Sequence, residues 1–183
     1  MVRTGIGSGG LDLLEILLSG PEAWNQWRRD NSDIQVNLCK ANLRDANLNN
    51  VNLSHAYLQN TNLNSANLDN ANLSNANLSN ANLHNANLGR ANLSSASFYN
   101  ANLSHADLDN ANLSNAFLSY ANLSHAYLRA VDLSHANLGH ANLSNTDLSY
   151  ANFSNANLSM ANLSNADLRG TDFWSANLGI IMK

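Results

Sequence analysis

The chain has 183 residues, of which 12% are charged, and its formal net charge is −4 at pH 7. A charge this small and this dilute does not favour direct nucleic-acid binding, which usually requires a basic stripe. The single cysteine, Cys39, cannot form an intrachain disulfide and gives no sign of an oxidising compartment. The length suits one domain.

The N-terminal segment, residues 1–35, is predicted to be a helical cap followed by a join. Its first residues lack the form of a signal peptide, and the apolar run over residues 11–18 is interrupted by Asp12 and Glu15 and is too short to span a bilayer. We therefore expect a cytoplasmic protein without membrane contact. The run should form a helix whose apolar face consists of Leu11, Leu14, Leu17 and Leu18, widened by Leu13 and Ile16.

The first helix is expected to end at Ser19 and Gly20, and Pro21 suits the first turn of a second helix. Trp24 and Trp27 stand three apart on this second helix and so share one face. Such a pair must be buried, and the open end of the region that follows is the nearest apolar surface. The predicted anchors of the cap are therefore Leu14, Leu17, Trp24 and Trp27.

From Val36 to Ala176 a small residue stands at every fifth position, and Leu or Phe follows two residues later, in 29 consecutive units. We number the five positions of each unit from the small residue. A period of five does not fit an α-helix, which would rotate the leucines by about 140° at each step. It does not fit a flat strand either, because a strand alternates every two residues.

The period is satisfied if each unit forms one short side and a corner, with positions one and three pointing inward. Four sides then close a square coil, and stacked coils pair as parallel strands about 4.8 Å apart. The sequence therefore predicts an all-β solenoid of about seven coils over residues 36–178, a rod of about 35 Å, with residues 179–183 as a tail.

Units such as Ala71-Asn72-Leu73-Ser74-Asn75 resemble the pentapeptide-repeat family, whose fold is a right-handed quadrilateral parallel β-helix. The stretch 22–29 resembles the helical cap of many bacterial, especially cyanobacterial, members. One departure is that position five, often Gly in the family, is Gly only at Gly170 here, and Asn is the most frequent residue there. The corners are expected to need a positive φ, for which Asn is the best substitute, and the turn type stays open.

Leu and Ala are expected to fill the inside of the rod, which leaves no room for a ligand, and no cofactor is predicted. The inward threonines, Thr61, Thr146 and Thr171, should bond to nearby backbone. Ser104, His105 and Asp107 resemble a catalytic triad only by accident of a regular surface. A straight convex rod lacks the cleft and oxyanion site that a triad needs, so we expect no enzymatic activity.

Positions that recur every fourth unit share one side of the rod, so the outward positions can be sorted by side. One side carries an apolar strip that becomes stronger toward the C-terminus, as is typical of a contact surface. We call this strip the aromatic face and predict that it binds a protein partner, whose identity the sequence does not indicate. Its predicted members are Tyr99, Phe117, Tyr120, His140, Met160 and Ile180.

Another side collects five of the eight aspartates of the repeats. The family resemblance implies an alternative function for this aspartate face, the regulation of DNA gyrase by imitation of DNA phosphates. Arg129 and Arg169 lie on the same side and oppose this alternative. The aspartate face consists of Asp69, Asp107, Asp109, Asp147 and Asp167.

Two further features of the repeat region bear on binding. His105 and His125 occupy equivalent positions on neighbouring coils, with His84 on the same side, but no carboxylate or thiol completes a metal site and none is predicted. No second helical cap follows the last coil, which would expose strand edges and Leu178. We therefore expect a homodimer formed through this end, unless residues 180–182 fold over it as a plug.

Overall fold

The computed structural model describes residues 12–179. Helix α1 spans Leu13–Leu18 and helix α2 spans Pro21–Asp30, as the boundary at Ser19 and Gly20 predicts. No helix within the described residues is long and apolar enough to cross a bilayer. The predictions that concern Leu11, Ile180 and the plug over residues 180–182 lie outside the described residues.

The buried face of α1 is rotated from the predicted one. Leu13 and Leu17 are fully buried, whereas Leu18 is 55% exposed, so its assignment to the apolar face is wrong. Leu14 is partly buried against the core. Leu13, Ile16 and Leu17 have the spacing i, i+3, i+4, which brings them to one side of a helix, and a helix this short has only one such side to bury.

Helix α2 closes the N-terminal end of the rod in place of a further coil. Trp24 is fully buried, its Nε1 donates to the carbonyl of Asn52 at 2.8 Å, and its ring lies 5.3 Å from that of Trp27. Asn25 donates through Nδ2 to the carbonyl of Asn50 at 2.9 Å, and its Oδ1 accepts the N–H of Asn52 at 2.8 Å. These side chains satisfy backbone groups that would otherwise form an open edge.

The repeats stack as coils of four repeats each. Each residue at position two forms a parallel backbone pair with the residue at position two four repeats later. These pairs run without interruption from Asn37 with Tyr57 to Asn157 with Asn177. The predicted parallel coil of four sides is therefore confirmed. Each side is so short that pairing is confined to one residue from each coil, so the region consists of isolated pairs rather than extended strands.

Every backbone N–H of a typical repeat has an acceptor, as the repeat 61–65 illustrates. The N–H of Asn62 donates to the preceding coil at 3.0 Å, and those of Leu63 and Ser65 donate to the following coil at 2.7 and 2.9 Å. The first-position N–H of Ala66 closes the turn onto the carbonyl of Leu63 at 3.0 Å. The fourth-position N–H of Asn64 has no backbone acceptor and bonds to Oδ1 of Asn62 at 3.2 Å.

This bond from position four to position two recurs along the described repeats. Wherever position two is Asn or Asp, its Oδ1 accepts the N–H of position four, which happens in 25 of the 29 repeats. The outward Asn of position two is therefore a structural residue. The four exceptions have Tyr57, Ser97, Phe117 or Tyr127 at position two.

The fifth position turns each corner in the left-handed conformation. Every non-glycine residue there from Lys40 to Ser175 has a φ between 54° and 62°, and Gly170 has a φ of 70°. The expected positive φ is confirmed. Within residues 39–174 the fourth position never has a positive φ, which identifies type II turns and answers the open question of turn type.

The inside of the rod is filled with apolar side chains. Third-position side chains from Leu38 to Leu158 are at most 1% exposed, and each buried Leu contributes roughly 2 kcal/mol. Thr61 and Thr146 are buried with them, as predicted, and all three threonine hydroxyls donate to backbone carbonyls at 2.6 to 3.0 Å. The repeats thus form one continuous apolar core from the cap to the last coil.

A pair of substitutions at Asn115 tests the left-handed corner. Its side chain is exposed and φ is 60°, so a change there alters the backbone preference without altering the core. Asn115→Val places a β-branched residue in this conformation and should lower the free energy of unfolding by roughly 1–3 kcal/mol. Asn115→Gly, the control, should change it by less than about 1 kcal/mol. Urea denaturation followed by circular dichroism measures both, and equal stability of the two variants would contradict the strained corner.

Candidate interaction surfaces

The aromatic face is a group of exposed rings, three of which are in contact through Tyr120. Tyr99, Phe117 and Tyr120 are 50%, 55% and 52% exposed. The rings of Tyr99 and Tyr120 lie 5.8 Å apart edge to face, and the ring of His140 stacks on Tyr120 at 4.7 Å. Met160 continues the row one coil later and is exposed too. The structure therefore brings Tyr99, Tyr120 and His140 into contact, with Phe117 and Met160 exposed on the same side.

Each member owes its place to the repeat. Tyr120, His140 and Met160 occupy corners one coil apart, where a φ of about 60° holds successive side chains above one another. Tyr99 stands at position four and Phe117 at position two of the same side, on neighbouring coils. The surface is convex and its rings are carried on rigid coils, so it suits a partner that lies against it rather than a ligand that is enclosed.

Arginine side chains neutralise more of the negative charge of the aspartate face than the sequence predicts. Arg90 lies 2.6 Å from the carboxylate of Asp69, and Arg169 lies 2.5 Å from that of Asp167. The sequence does not indicate the pair of Arg90 with Asp69. Arg90 stands at position five of the next coil, whereas the aspartates stand at positions two and four. With the expected Arg129 and Arg169, three guanidinium groups accompany the five carboxylates.

The ionisable groups of this face influence one another. The bond to Arg169 holds the pKa of Asp167 below its usual range. Burial raises the pKa of Asp109, and the negative charge of the nearby Asp107 raises it further. The N–H of Arg129, which donates to Oδ1 of Asp109 at 2.9 Å, opposes this rise. The side-chain bond to Asp69 raises the pKa of Arg90. Two of the five carboxylates are therefore paired with guanidinium groups, which interrupts the negative charge along the face.

The three histidines of the neighbouring side form a row. The rings of His105 and His125 are stacked 4.9 Å apart, and His84 meets His105 edge to face at 5.3 Å. Within residues 12–179, no group of three or more His, Cys, Asp or Glu side chains is arranged to hold a metal ion. The three rings of the row contact one another by stacking and by an edge-to-face contact.

The residues that resemble a triad in the sequence are not assembled as one. The hydroxyl of Ser104 donates to Oδ1 of Asn102 at 2.8 Å, and its oxygen lies 2.9 Å from Nδ1 of His84. His105 contacts other histidine rings instead. Because the Ser104 proton is directed to Asn102, Nδ1 of His84 must be the donor in its own contact with Ser104 and is not a base for this serine.

Comparison with known proteins agrees with this geometry. A model of the family described as pentapeptide repeats matches overlapping segments that run from residue 34 to residue 179. The chain belongs to the pentapeptide-repeat family. No curated protein matches this pentapeptide-repeat protein.

Several solved structures resemble it. HetL, a pentapeptide repeat protein involved in heterocyst differentiation regulation in Nostoc sp. strain PCC 7120, is 33% identical over 79% of this chain and 77% of that one, with a TM-score of 0.36. A second Nostoc pentapeptide repeat protein is 28% identical over 55% and 83%, with a TM-score of 0.46. QnrB1, a plasmid-mediated fluoroquinolone resistance protein, is 20% identical over 74% and 75%, with a TM-score of 0.41.

The last described coil of this pentapeptide-repeat protein exposes more of its core leucines than the first coil does. Leu168 and Leu178 are 39% and 37% exposed, although equivalent leucines of earlier coils are buried. Trp174 is also largely exposed beside them. Within the described residues, the N–H groups of Leu168 and Phe173 have no acceptor, because no described coil follows them.

Three further exposed aromatic residues lie outside the surfaces that the sequence predicts. Tyr57, Tyr127 and Tyr150 are exposed, and none of them contacts another ring among the described residues. Tyr57 lies on the side of Phe117 but three coils away from it, and Tyr127 and Tyr150 lie on the side of the aspartate face. Single exposed aromatic residues are common on protein surfaces and do not define a site.

Proposed function

We propose that this pentapeptide-repeat protein is a rigid, non-enzymatic scaffold, a right-handed quadrilateral β-helix that binds a protein partner through its aromatic face. The observation that supports this function is the cluster of Tyr99, Phe117 and Tyr120, exposed together on adjoining coils. Tyrosine and other aromatic residues are enriched among the side chains that dominate binding energy at protein interfaces. The filled core and the convex surface fit a scaffold better than an enzyme.

The stability given up at this face also favours a binding role. Phe117 stands at position two, where most repeats have an Asn whose side chain accepts the N–H of position four. On the preceding coil Ser97 stands at this position, also in place of Asn. A large apolar side chain is exposed where the repeat otherwise has a hydrogen-bonding amide. Local departures from a stabilising rule are typical of functional sites.

A second candidate function is the regulation of DNA gyrase, with the aspartate face in place of DNA phosphates. The grouping of five aspartates on one side supports it. The pairs of Arg90 with Asp69 and of Arg169 with Asp167 oppose it, because they remove charge that the mimicry would need. We therefore rank it below the scaffold.

We further propose that the protein forms a homodimer through its C-terminal coil. The exposed ends of Leu168 and Leu178, together with Trp174, provide an apolar contact. The N–H groups of Leu168 and Phe173 provide edge groups that a second copy can pair. An apolar patch with an unpaired edge is a common site of self-association.

The scaffold proposal predicts that partner capture depends on the aromatic face. Immobilised parent protein should enrich at least one protein from a lysate of the source organism. Phe117→Asn with Tyr120→Asn should reduce that protein more than about tenfold, as expected when two dominant contacts are lost. The matched control is Tyr127→Asn, which removes an exposed ring elsewhere. Equal capture by all three proteins, quantified by mass spectrometry, would reject the aromatic face as the binding surface.

The gyrase candidate predicts inhibition of DNA supercoiling. If the scaffold proposal is correct, micromolar protein should leave supercoiling by purified gyrase unchanged. Inhibition that disappears when Asp107 and Asp147 are both replaced by Asn would instead establish the second candidate. The Tyr127→Asn variant serves as the control here too, because it alters the same side without removing a carboxylate.

The dimer proposal predicts an association that depends on concentration. Sedimentation velocity should show a monomer–dimer equilibrium, and Leu168→Lys should shift it to monomer because a charge would be buried at the contact. Tyr57→Lys, which adds the same charge near the other end, should have no effect. A strict monomer at high protein concentration would contradict the dimer.

A further inference from the structure

The hydrogen bonds of position four single out one part of the aromatic face. The four repeats without Asn or Asp at position two leave the N–H groups of Gln59, Tyr99, Ser119 and Arg129 without their usual acceptor. The N–H of Arg129 donates instead to Oδ1 of Asp109 at 2.9 Å. Among residues 39–179, the N–H groups of Gln59, Tyr99 and Ser119 alone have no acceptor at this position.

Two of these three N–H groups are neighbours. Tyr99 and Ser119 occupy the same position on successive coils, which hydrogen-bond to each other through Phe98 and Phe117 at 2.7 Å and through Asn100 and Ser119 at 3.1 Å. The two donors are therefore about 4.8 Å apart and parallel. Ser97 does not compensate, because its Oγ lies 3.0 Å from Oγ of Ser79 and forms no hydrogen bond with the N–H of Tyr99.

The surroundings of this pair contain no competing acceptor charge. No Asp or Glu occurs anywhere on this side of the coils or at the corner that follows it, from residue 37 to residue 179. Lys40 and His140 are the basic residues there. The rings of Tyr99, Phe117 and Tyr120 flank the donors, so an acceptor that approaches them is also offered an apolar contact.

We infer that the aromatic face binds an acidic segment of a partner protein, whose Asp or Glu carboxylate accepts the N–H groups of Tyr99 and Ser119. The carboxylate takes the place that the Asn or Asp side chain of position two occupies in other repeats. Its two oxygens can each accept one donor, and a bond to a carboxylate is roughly twice as strong as one to a neutral amide. An apolar side chain next to the acidic residue packs on Phe117 and Tyr120.

This inference rests on the proposed scaffold function and specifies the chemistry of its partner. The side chain of a lysine offers no acceptor to the two donors, so a lysine-bearing segment has only neutral backbone carbonyls to offer them. A second copy of this chain, presented through its aspartate face, would also offer carboxylates. The experiment therefore has to distinguish an acidic peptide, a basic peptide and the protein itself.

The five tyrosines provide the probe. The N–H groups of Tyr57, Tyr120, Tyr127 and Tyr150 donate to backbone carbonyls at 2.9 to 3.1 Å, whereas that of Tyr99 has no acceptor among the described residues. In protein labelled with ¹⁵N-tyrosine, the peptide acetyl-Phe-Asp-Phe-amide should shift the amide proton of Tyr99 downfield. The other four signals, assigned by Tyr→Phe variants, are internal controls.

The expected result is that the aspartate peptide binds at least about tenfold more tightly than acetyl-Phe-Lys-Phe-amide, as a charge-assisted bond to two donors implies. Binding of both peptides with equal affinity and an unmoved Tyr99 signal would overturn the carboxylate inference and leave the aromatic face standing. A Tyr99 shift that grows with protein concentration in the absence of peptide would overturn it in favour of a second copy.

A repaired variant separates binding from folding. Ser97→Asn with Phe117→Asn returns the missing acceptors, so the protein should remain at least as stable in urea denaturation while its affinity for the aspartate peptide falls at least about tenfold. Asn92→Ser, on another side, removes an acceptor where no rings are present and should leave the affinity unchanged. Full binding by the repaired variant would contradict the role of the two N–H groups.

Discussion

The N–H of position four is the group on which this architecture depends. Because each side of a coil is one residue pair long, the neighbouring coils accept the N–H groups of positions two, three and five, and the turn accepts that of position one. Position four has no backbone acceptor. An unsatisfied N–H costs about 1–3 kcal/mol where water is excluded and less at partly exposed positions such as these, and the cost would recur along the rod. The side chain of position two removes that cost.

The same side chain also connects the coils. The amide nitrogen of Asn142 donates to Oδ1 of Asn122 at 3.2 Å, and the amide of Asn122 donates to Asn102 in turn. Asn is therefore preferred over Asp at most second positions, because Asp accepts the N–H but cannot donate to the next coil. Three of the five positions are then committed to structure, and only positions four and five are free to vary. This explains why the surface carries so little chemical variety.

The sequence predicted the features that follow from period and size. The inward leucines and threonines, the coil of four repeats and the positive φ at the Asn-rich corners all depend on spacing or on backbone sterics. It did not predict which helical face of the cap is buried, since Leu13 and Leu14 are equally apolar and only the position of the first coil decides between them. The pair of Arg90 with Asp69 joins a corner of one coil to position four of the coil before it. Such a diagonal contact depends on the side-chain conformation of the arginine, which spacing does not indicate.

The unpaired donors of Tyr99 and Ser119 escaped prediction for a different reason. A missing acceptor becomes visible only when the acceptor of every other N–H is known. Once the bond from position four to position two is established, the exceptions can be found in the sequence as positions without Asn or Asp. The exceptions can therefore be located in the sequence, but the hydrogen bond that defines them is seen only in the structure.

The contrast between the two ends of the rod bears on how the proposed homodimer would grow. Helix α2 buries Trp24 against the first coil, and Asn25 pairs with the backbone of Asn50 and Asn52, although the N–H groups of Asn42 and Asn47 have no acceptor among the described residues. Core leucines are exposed at the last coil instead. In the proposed homodimer two last coils would join identical surfaces, and association through that contact would stop at a closed pair. By covering the apolar core of the first coil, the cap would remove a second apolar end through which copies could otherwise add without limit.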